Sequence, residues 1–549
     1  VPEPLETDLP EPHMPVAVPH VNTRTHTVLP ADSNQALGLG QYAVNFMHGS
    51  FDPSGKGTGT AGQPSAAVLE RTNLFNVDAV ICGVSALALG TNAPTVLRRE
   101  ALRYPAPPRG FGTLASRGGA TLIGSRARVM PEKAVLANAA AVREWDSNGT
   151  NFGYNPVLGH LAGEFGHNDF YAVALAAAQM AGEDGEFALR GMVLLDEIRG
   201  RLAEVFSLKT YKIDHVLHGA IASAATYGAM LGATPEQIES AIGMVVAHHV
   251  PFRAIRHGKQ LSDSKGASAA ISTEAALLAM ERSMDGFVGP RDIFRNPEAV
   301  FCLFQKPAEK GQSPFNLVLG RAGDDFAVMG MHFKLGLYEH QSAGAIQALL
   351  DLLTRNPGLL EDRRGGRIRG IRIVAYEPAF HIIGDPAKRD PRTRQSADHS
   401  MAYIVATLLR KALERQTSDW AETMLGPYDY SAEAIFNPLT RDLMEKISFV
   451  HGGPDYDAKY PEGIPTSLVI TDDMGREHDS GLVMFPAGHA RNTTANLKAL
   501  LEHKFMLLGS LGVKDPEALV ERLSRLETRS ADEVAEYFSF DLLDRGRFE

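Results

Sequence analysis

An apolar stretch, Ala137 to Ala141, runs directly into Val142-Arg143-Glu144-Trp145-Asp146-Ser147-Asn148-Gly149-Thr150, the first polar residues in a position to do chemistry. If the helix persists, Asp146 and Thr150 lie one turn apart on one face; if Gly149 ends it, both stand at the edge of a cleft. An ordinary helix C-cap accounts for the same residues. Gly159 to Asp169 adds His160 and His167 just before another apolar stretch, where the free amides and dipole of a helix start attract a carboxylate ligand. Lys209 to His218 adds His215, whose titration range suits general acid or base work, although a histidine satisfied by a backbone carbonyl looks the same in sequence.

Cations follow. Arg253, Arg256, His257, Lys259 and Lys265 fall within 13 residues, a concentration suited to a substrate with several carboxylates because the arginine fork matches that group. A solvated charge run is the bland alternative. Lys334, Tyr338, Glu339 and His340 form a further cluster, and His489 and Arg491 end an apolar run; either group also reads as a structural anchor. His381, His399 and the run Arg392 to Arg394 are weaker cases, explicable by local packing or capping.

These islands need a scaffold, and its first part reads as helical. Alanine-rich or mixed aliphatic stretches at 75–89, 131–145, 170–181, 219–231 and 267–282 predict buried helices, with Pro131 opening one and Thr234-Pro235-Glu236-Gln237 capping another. Ala120 to Gly124 reads as a small strand. Past a Gly/Pro/Lys/Ser-rich junction at 306–314 the pattern mixes: a helix over 338–350, an alternating strand over 367–376, a helix over 398–411, and strands at 467–471 and 481–485. Lys334 and Tyr338 share a face only if both are helical. Helical periodicity returns at 496–507 and 532–540. The expected architecture is therefore a predominantly α-helical large domain (32–308) with a smaller α+β lid domain (309–491), a return to the helical domain (492–549), and a flexible extension at 1–31.

The 549 residues, 44% of them hydrophobic, are too many for one ordinary core, and a net charge of -11 removes a chain-wide basic surface for nucleic acid or anionic lipid. Cys82 and Cys302 are too few for a disulfide framework, a multi-cysteine metal site or an iron–sulfur cluster, and a reducing compartment suits them. There is no Gly-x-x-x-x-Gly-Lys-Ser/Thr loop, no convincing nicotinamide-binding unit and no His-Glu-x-x-His. No cofactor and no metal is expected. No apolar run reaches the ~18 residues a bilayer demands, so a soluble protein of the cytoplasm, or of an organellar matrix if eukaryotic and processed, is expected, without membrane or nucleic-acid partners.

Six pieces, in this order, carry a resemblance: Leu74-Phe-Asn-Val-Asp-Ala-Val-Ile-Cys-Gly, Trp145-Asp146 with Thr150, Gly166-His167, Ile213-Asp214-His215-Val216-Leu217, Arg253 and Arg256-His257 with Ser264-Lys265, and Pro486-Ala-Gly-His489-Ala-Arg491. Over about 70–549 the chain resembles the MmgE/PrpD family, also called the 2-methylcitrate dehydratase family, whose relatives include cis-aconitate decarboxylases and iminodisuccinate epimerases. The resemblance implies a cleft between a helical domain and an α+β lid, and a homodimer. It puts Asp146, Thr150, His167, His215 and Lys265 at cleft positions, Arg253, Arg256 and His257 in the adjoining basic segment, and Lys334 and Tyr338 on the lid. Two departures stand out: Gly149 occupies the later acidic position of an Asp-x-Asn-Asp-Thr-like run, and His167-Asn168-Asp169 replaces a His-Pro-Ser-like segment.

The implied reaction is loss of water from 2-methylcitrate or a related hydroxy tricarboxylate. His215 or Asp146 would abstract the carbon-bound proton, and His167 or another nearby acid would protonate the leaving hydroxyl. Lys265, Arg253 and Arg256 would hold carboxylates, with His257, Lys334, His489 and Arg491 as further binding candidates, while Thr150 and Tyr338 orient oxygens. The alternatives are an epimerase or isomerase, a cis-aconitate-type decarboxylase, and a noncatalytic metabolite-binding protein.

Overall fold

Alanine and glycine decide how the first half of the chain packs. In the computed structural model, which describes residues 21–49, 61–107, 118–256 and 260–548, this half contains α1 (Gln35–His48), α2 (Ala66–Ala88), α3 (Asn92–Ala101), α4 (Pro131–Arg143), α5 (Tyr171–Ala181), α6 (Gly185–Val205), α7 (Val216–Met230), α8 (Pro235–His248) and α9 (Ser264–Met284). All of α7 is buried, because α1, α5, α6, α8 and α9 pack around it and its small residues admit them. Gly219 marks the tightest approach: a Cβ there would lie 2.0 Å from the Phe170 ring. The expected helices occur as α2, α4, α5, α7 and α9, and Thr234 and Gln237 cap α8 reciprocally through bonds of 3.3 and 2.9 Å.

One long helix is absent from the expectations. α6 buries Asp196, Glu197, Arg199, Arg201 and Glu204 in a network of its own, with Arg199–Asp196 at 2.5 Å, Arg201–Glu197 at 2.8 Å and Arg201–Glu204 at 3.2 Å. Glu197 also accepts the N–H groups of Gly320 and Ala327, and Arg201 reaches Asp325 at 2.7 Å. Residues 317–330 therefore stay on the helical body instead of opening the lid at 309. Strand Leu317–Gly320 pairs antiparallel with His26–Leu29, so the last residues of the supposed free extension are also built in; residues 1–20 lie outside the described residues.

The second part is a four-stranded sheet in the order Ile447–His451, Ile368–Ala375, Thr466–Asp472, Glu477–Asp479, the first pair parallel and the others antiparallel. Ile371, Ile373 and Ala375 are buried while Arg372 faces out, as the alternation requires, and an irregularity in the pairing at Thr471/Asp472 shifts the phase so that Ile368 is buried and Arg369 exposed. Helix Ala343–Arg355 packs on the central strand, and Met401–Arg415 packs on that helix. Two expectations shift. The helix placed at 338–350 begins only at Ala343, leaving Lys334 and Tyr338 in irregular backbone, and the last strand is 477–479, with Val483 making only an isolated bridge to Thr466.

The chain then returns to the first body. Helix Leu497–Gly512 packs on α2 and sends Lys504 inward, where its ammonium donates to Asp78 Oδ1 at 2.6 Å and to the Ser147 carbonyl at 2.7 Å. The helix expected over 532–540 shortens to Ala531–Ala535. The whole is predominantly helical with small β elements, the expected class. Among the described residues no single helix is long and apolar enough to cross a bilayer.

Candidate active site

Between the two parts lies a cleft of about 540 Å³, counting its open mouth. The helical body contributes Arg143, Asp146, Thr150, Phe152, Phe165, His167, His215, Arg253 and Arg256; the α+β part contributes Glu339, Gln341, Ile382, Lys388 and His399. Sequence islands as far apart as Arg143 and His399 thus meet on one surface.

Local structure explains how. α4 ends at Arg143, and Asp146 adopts a left-handed conformation with φ 51°, turning the chain back into strand Thr150–Phe152. That strand pairs with Phe165–His167, which sets Thr150 opposite His167, and Thr150 exchanges backbone hydrogen bonds of 3.0 and 2.7 Å with His332. Gly149 has a steric reason: a Cβ there would meet the Phe75 ring at 2.5 Å. His215 sits at the start of α7. The turn Arg253–Arg256 is pinned beside it by bonds from Asp214 N–H to the Pro251 carbonyl and from Arg253 N–H to the Lys212 carbonyl, each 2.8 Å.

Asp146 is the most heavily compensated group. Its Oδ1 accepts short bonds from Arg143 and Lys334, Lys334 also reaches its carbonyl at 3.0 Å, and His399 Nε2 lies 3.3 Å from Oδ2. Burial alone would push this carboxyl up, but Arg143, Lys334, His399 and Lys265 together hold it well below the usual range. Behind it, Lys265 donates to both oxygens of Asp398 at 2.7 and 3.0 Å, and Asp398 Oδ1 lies 2.7 Å from His399 Nδ1. Burial, with Lys265 beside it, drives His399 down to about 3 despite Asp398, so the ring is neutral at ordinary pH.

His167 and His215 meet edge to face with ring centroids 5.1 Å apart. His167 Nδ1 and both nitrogens of His215 lack a hydrogen-bond partner among the described residues. Burial first, then nearby cations including Arg143, hold both well below the ordinary histidine value. Both rings are therefore neutral with unoccupied nitrogens, the protonation state from which a general base starts. Asp214 stays ionised because Arg256 grips both of its oxygens.

Other expected residues stand elsewhere. Lys265 and Lys334 are buried behind the cleft wall as partners of Asp398 and Asp146 and do not line it. The Tyr338 hydroxyl accepts the Leu335 N–H at 2.9 Å and is also off the cleft. His489 stacks on His332 at 4.0 Å, and Arg491 pairs with Glu462 over the Tyr154 ring at 5.3 Å. Neither lines the cleft, because the 486–491 segment closes over the 332–340 loop. His160 pairs with Glu204 at 2.9 Å, the bland reading. His257 and Lys259 lie outside the described residues.

Sequence reasoning passed over Lys388, gave His399 little weight and left out Asp398. Asp398 and Lys388 sit in stretches that look like ordinary capping and surface charge; only the direct adjacency of Asp398 to His399 hinted at paired roles. Glu339, quoted only as part of a cluster, lines the cleft, and burial and the Asp146 charge push it up to about 7.

Asp146, Asp398 and His399 bring potential metal-ligand atoms within 4.8 Å of one another. The fit to a cation is poor, since Arg143, Lys265 and Lys334 already neutralise the two carboxylates. Over the whole site Arg143, Arg253, Arg256, Lys265, Lys334 and Lys388 outnumber the carboxylates of Asp146, Asp169, Asp214, Glu339 and Asp398, an environment for an anion.

The chain is 24% identical over 426 residues to a 2-methylcitrate dehydratase of Salmonella typhi, covering 73% of this chain and 81% of that one. It is 28% identical over 384 residues to the mitochondrial 2-methylcitrate dehydratase of Yarrowia lipolytica, covering 66% and 68%, and 25% identical over 321 residues to a fungal alkylcitrate dehydratase, covering 56% and 58%. Residues 59–312 match the MmgE/PrpD N-terminal domain and residues 338–525 the MmgE/PrpD C-terminal domain. With both family domains present in order and the cleft formed between them, the chain belongs to the MmgE/PrpD family.

Proposed function

We propose that this protein is a lyase that dehydrates 2-methylcitrate or a related hydroxy tricarboxylate to the unsaturated tricarboxylate. The reading is carried by one observation: a single cationic cleft holds two neutral imidazoles, His167 and His215, with nitrogens free to take a proton. The relatives' names, which are those of dehydratases of citrate derivatives, support it.

His215 is the preferred base. Asp146 Oδ1 is occupied by Arg143 and Lys334, whereas both nitrogens of His215 are without a hydrogen-bond partner among the described residues. As the carbon–hydrogen bond breaks, its electrons form the double bond and the neighbouring carbon–oxygen bond opens, the hydroxyl leaving as water once protonated. Glu339, held up to about 7, keeps a proton near neutrality and is a better donor than His167, which is neutral there. Cations along the cleft stabilise the enolate-like charge that builds on the substrate.

The test is product analysis of purified protein with 2-methylcitrate, citrate and related acids. An unsaturated tricarboxylate is expected, and none from any of them ends the assignment. His215→Gln should lower turnover by about 10²- to 10⁴-fold. Unchanged turnover removes His215 from the mechanism. The facing imidazoles also suit a second reading, an epimerase in which one ring removes a proton and the other returns it; deuterium exchange at carbon without water loss would select that reading.

A further inference from the structure

The segment carrying Lys388 holds several cations, and only one of them is unspent. Asp385 caps the short turn Pro386–Lys388 by accepting the Ala387 N–H at 2.7 Å. Arg389 lies over the Phe449 ring at 5.0 Å and donates to the Gly384 carbonyl, and Arg392 pairs with Asp390 at 2.9 Å, an aspartate that Arg441 also grips at 2.8 Å. Lys388 instead lines the cleft, and among the described residues its ammonium has no ion pair or hydrogen bond.

The helical wall has its counterpart. Arg143 and Arg256 line the cleft already matched by Asp146 and Asp214. Arg253 also lines it, and its side chain has no hydrogen bond or ion pair among the described residues, with Nη1 buried and unpartnered. Among the described residues lining the cleft, one unmatched cation therefore stands on each wall. A partly buried ammonium without an anion is unfavourable unless a ligand supplies one.

We infer that Lys388 is a substrate-carboxylate ligand, the α+β half of a two-point clamp whose other half is Arg253. This rests on reading the cleft as a polycarboxylate site. A ligand with carboxylates at both ends is held by the two parts at once, and one with a single carboxylate engages only one of them. Burial lowers the Lys388 ammonium to about 8; Glu339 and Asp385 oppose that shift, and Lys265 and Arg253 add to it. Clamping should accordingly weaken as pH rises through that value, in a range where Glu339 is already ionised.

Calorimetric binding of propane-1,2,3-tricarboxylate, which has no hydroxyl to lose, tests the clamp independently of turnover. Lys388→Met should weaken binding at pH 7 by about 10- to 100-fold, with the melting temperature unchanged. Lys388→Arg should bind nearly as tightly as the native protein. Native affinity should fall between pH 7.5 and 9.5, that of Lys388→Arg should stay level, and that of Lys388→Met should be uniformly low. Native-like binding by Lys388→Met, or no binding of this ligand to the native protein, overturns the clamp. Failure to dehydrate 2-methylcitrate would overturn the proposed reaction alone.

Discussion

His399 presents Nε2 to Asp146 Oδ2 at 3.3 Å, and its other nitrogen faces Asp398 at 2.7 Å. The ring is thereby held by Asp398 at the head of helix Met401–Arg415 and set against the turn after α4, where the two parts of the molecule meet at the cleft. A glutamine side chain cannot span both contacts. His399→Gln should lower kcat by about 10²-fold, the cost of misplacing a reacting group by about an ångström, with KM nearly unchanged. Steady-state kinetics on the best substrate found will check it.

Asp146→Asn keeps the left-handed turn accessible, since asparagine tolerates it, but leaves Arg143 and Lys334 buried beside a neutral group. Stability should fall by about 3–5 kcal/mol, read from urea unfolding at pH 7.

His340 offers a cleaner test of buried titration. It stacks on His332 at 5.2 Å with the tilted Phe152 ring 5.6 Å away, neither nitrogen has a partner among the described residues, and burial, Lys334 and His489 hold it well below the ordinary value. The unfolded chain takes up the proton below about pH 6.5 while the folded ring refuses it, so the residue costs stability as pH falls and is harmless above. His340→Phe should match the native protein at pH 8. Below pH 6.5 it should gain on it by about 1.4 kcal/mol per pH unit, measured by urea unfolding across pH 5 to 8.

Lys504→Met strands Asp78 in the interior and frees the Ser147 carbonyl. A loss of about 3–5 kcal/mol is expected. The double variant Asp78→Leu/Lys504→Met should recover much of that stability, yet its kcat should stay low because the turn at 146–148 has lost its tether. Full recovery of both would show the pair to be structural only.

The helices most readable in the sequence are those whose burial comes from small and aliphatic residues. α7 and α9 announce themselves through alanine; in α6 the apolar residues Leu189, Met192, Leu195, Ile198 and Leu202 are interleaved with Asp196, Glu197, Arg199, Arg201 and Glu204, which look solvent-facing in sequence and are buried only because they pair with one another. The site divides along a similar line. His167, His215 and Asp146 interrupt apolar stretches and are conspicuous. Lys388 follows Pro386 and Ala387 in a run indistinguishable from solvated charge, and its role depends on where the other domain folds. Lys265 and Lys334 were legible as important cations, but only the fold shows them as counterions behind the wall.

The tether from Lys504 also bears on synthesis. A ribosome that has made residue 399 has already produced every group that lines the cleft, including Asp146 and the helix that bears Asp78. The turn at Ser147 nevertheless waits for its anchor until some hundred further residues have emerged and Leu497–Gly512 has docked on α2. Until then the buried Asp78 carboxyl is without its counterion inside a nearly finished body. The order of translation thus withholds this tether from any product that stops short of Lys504.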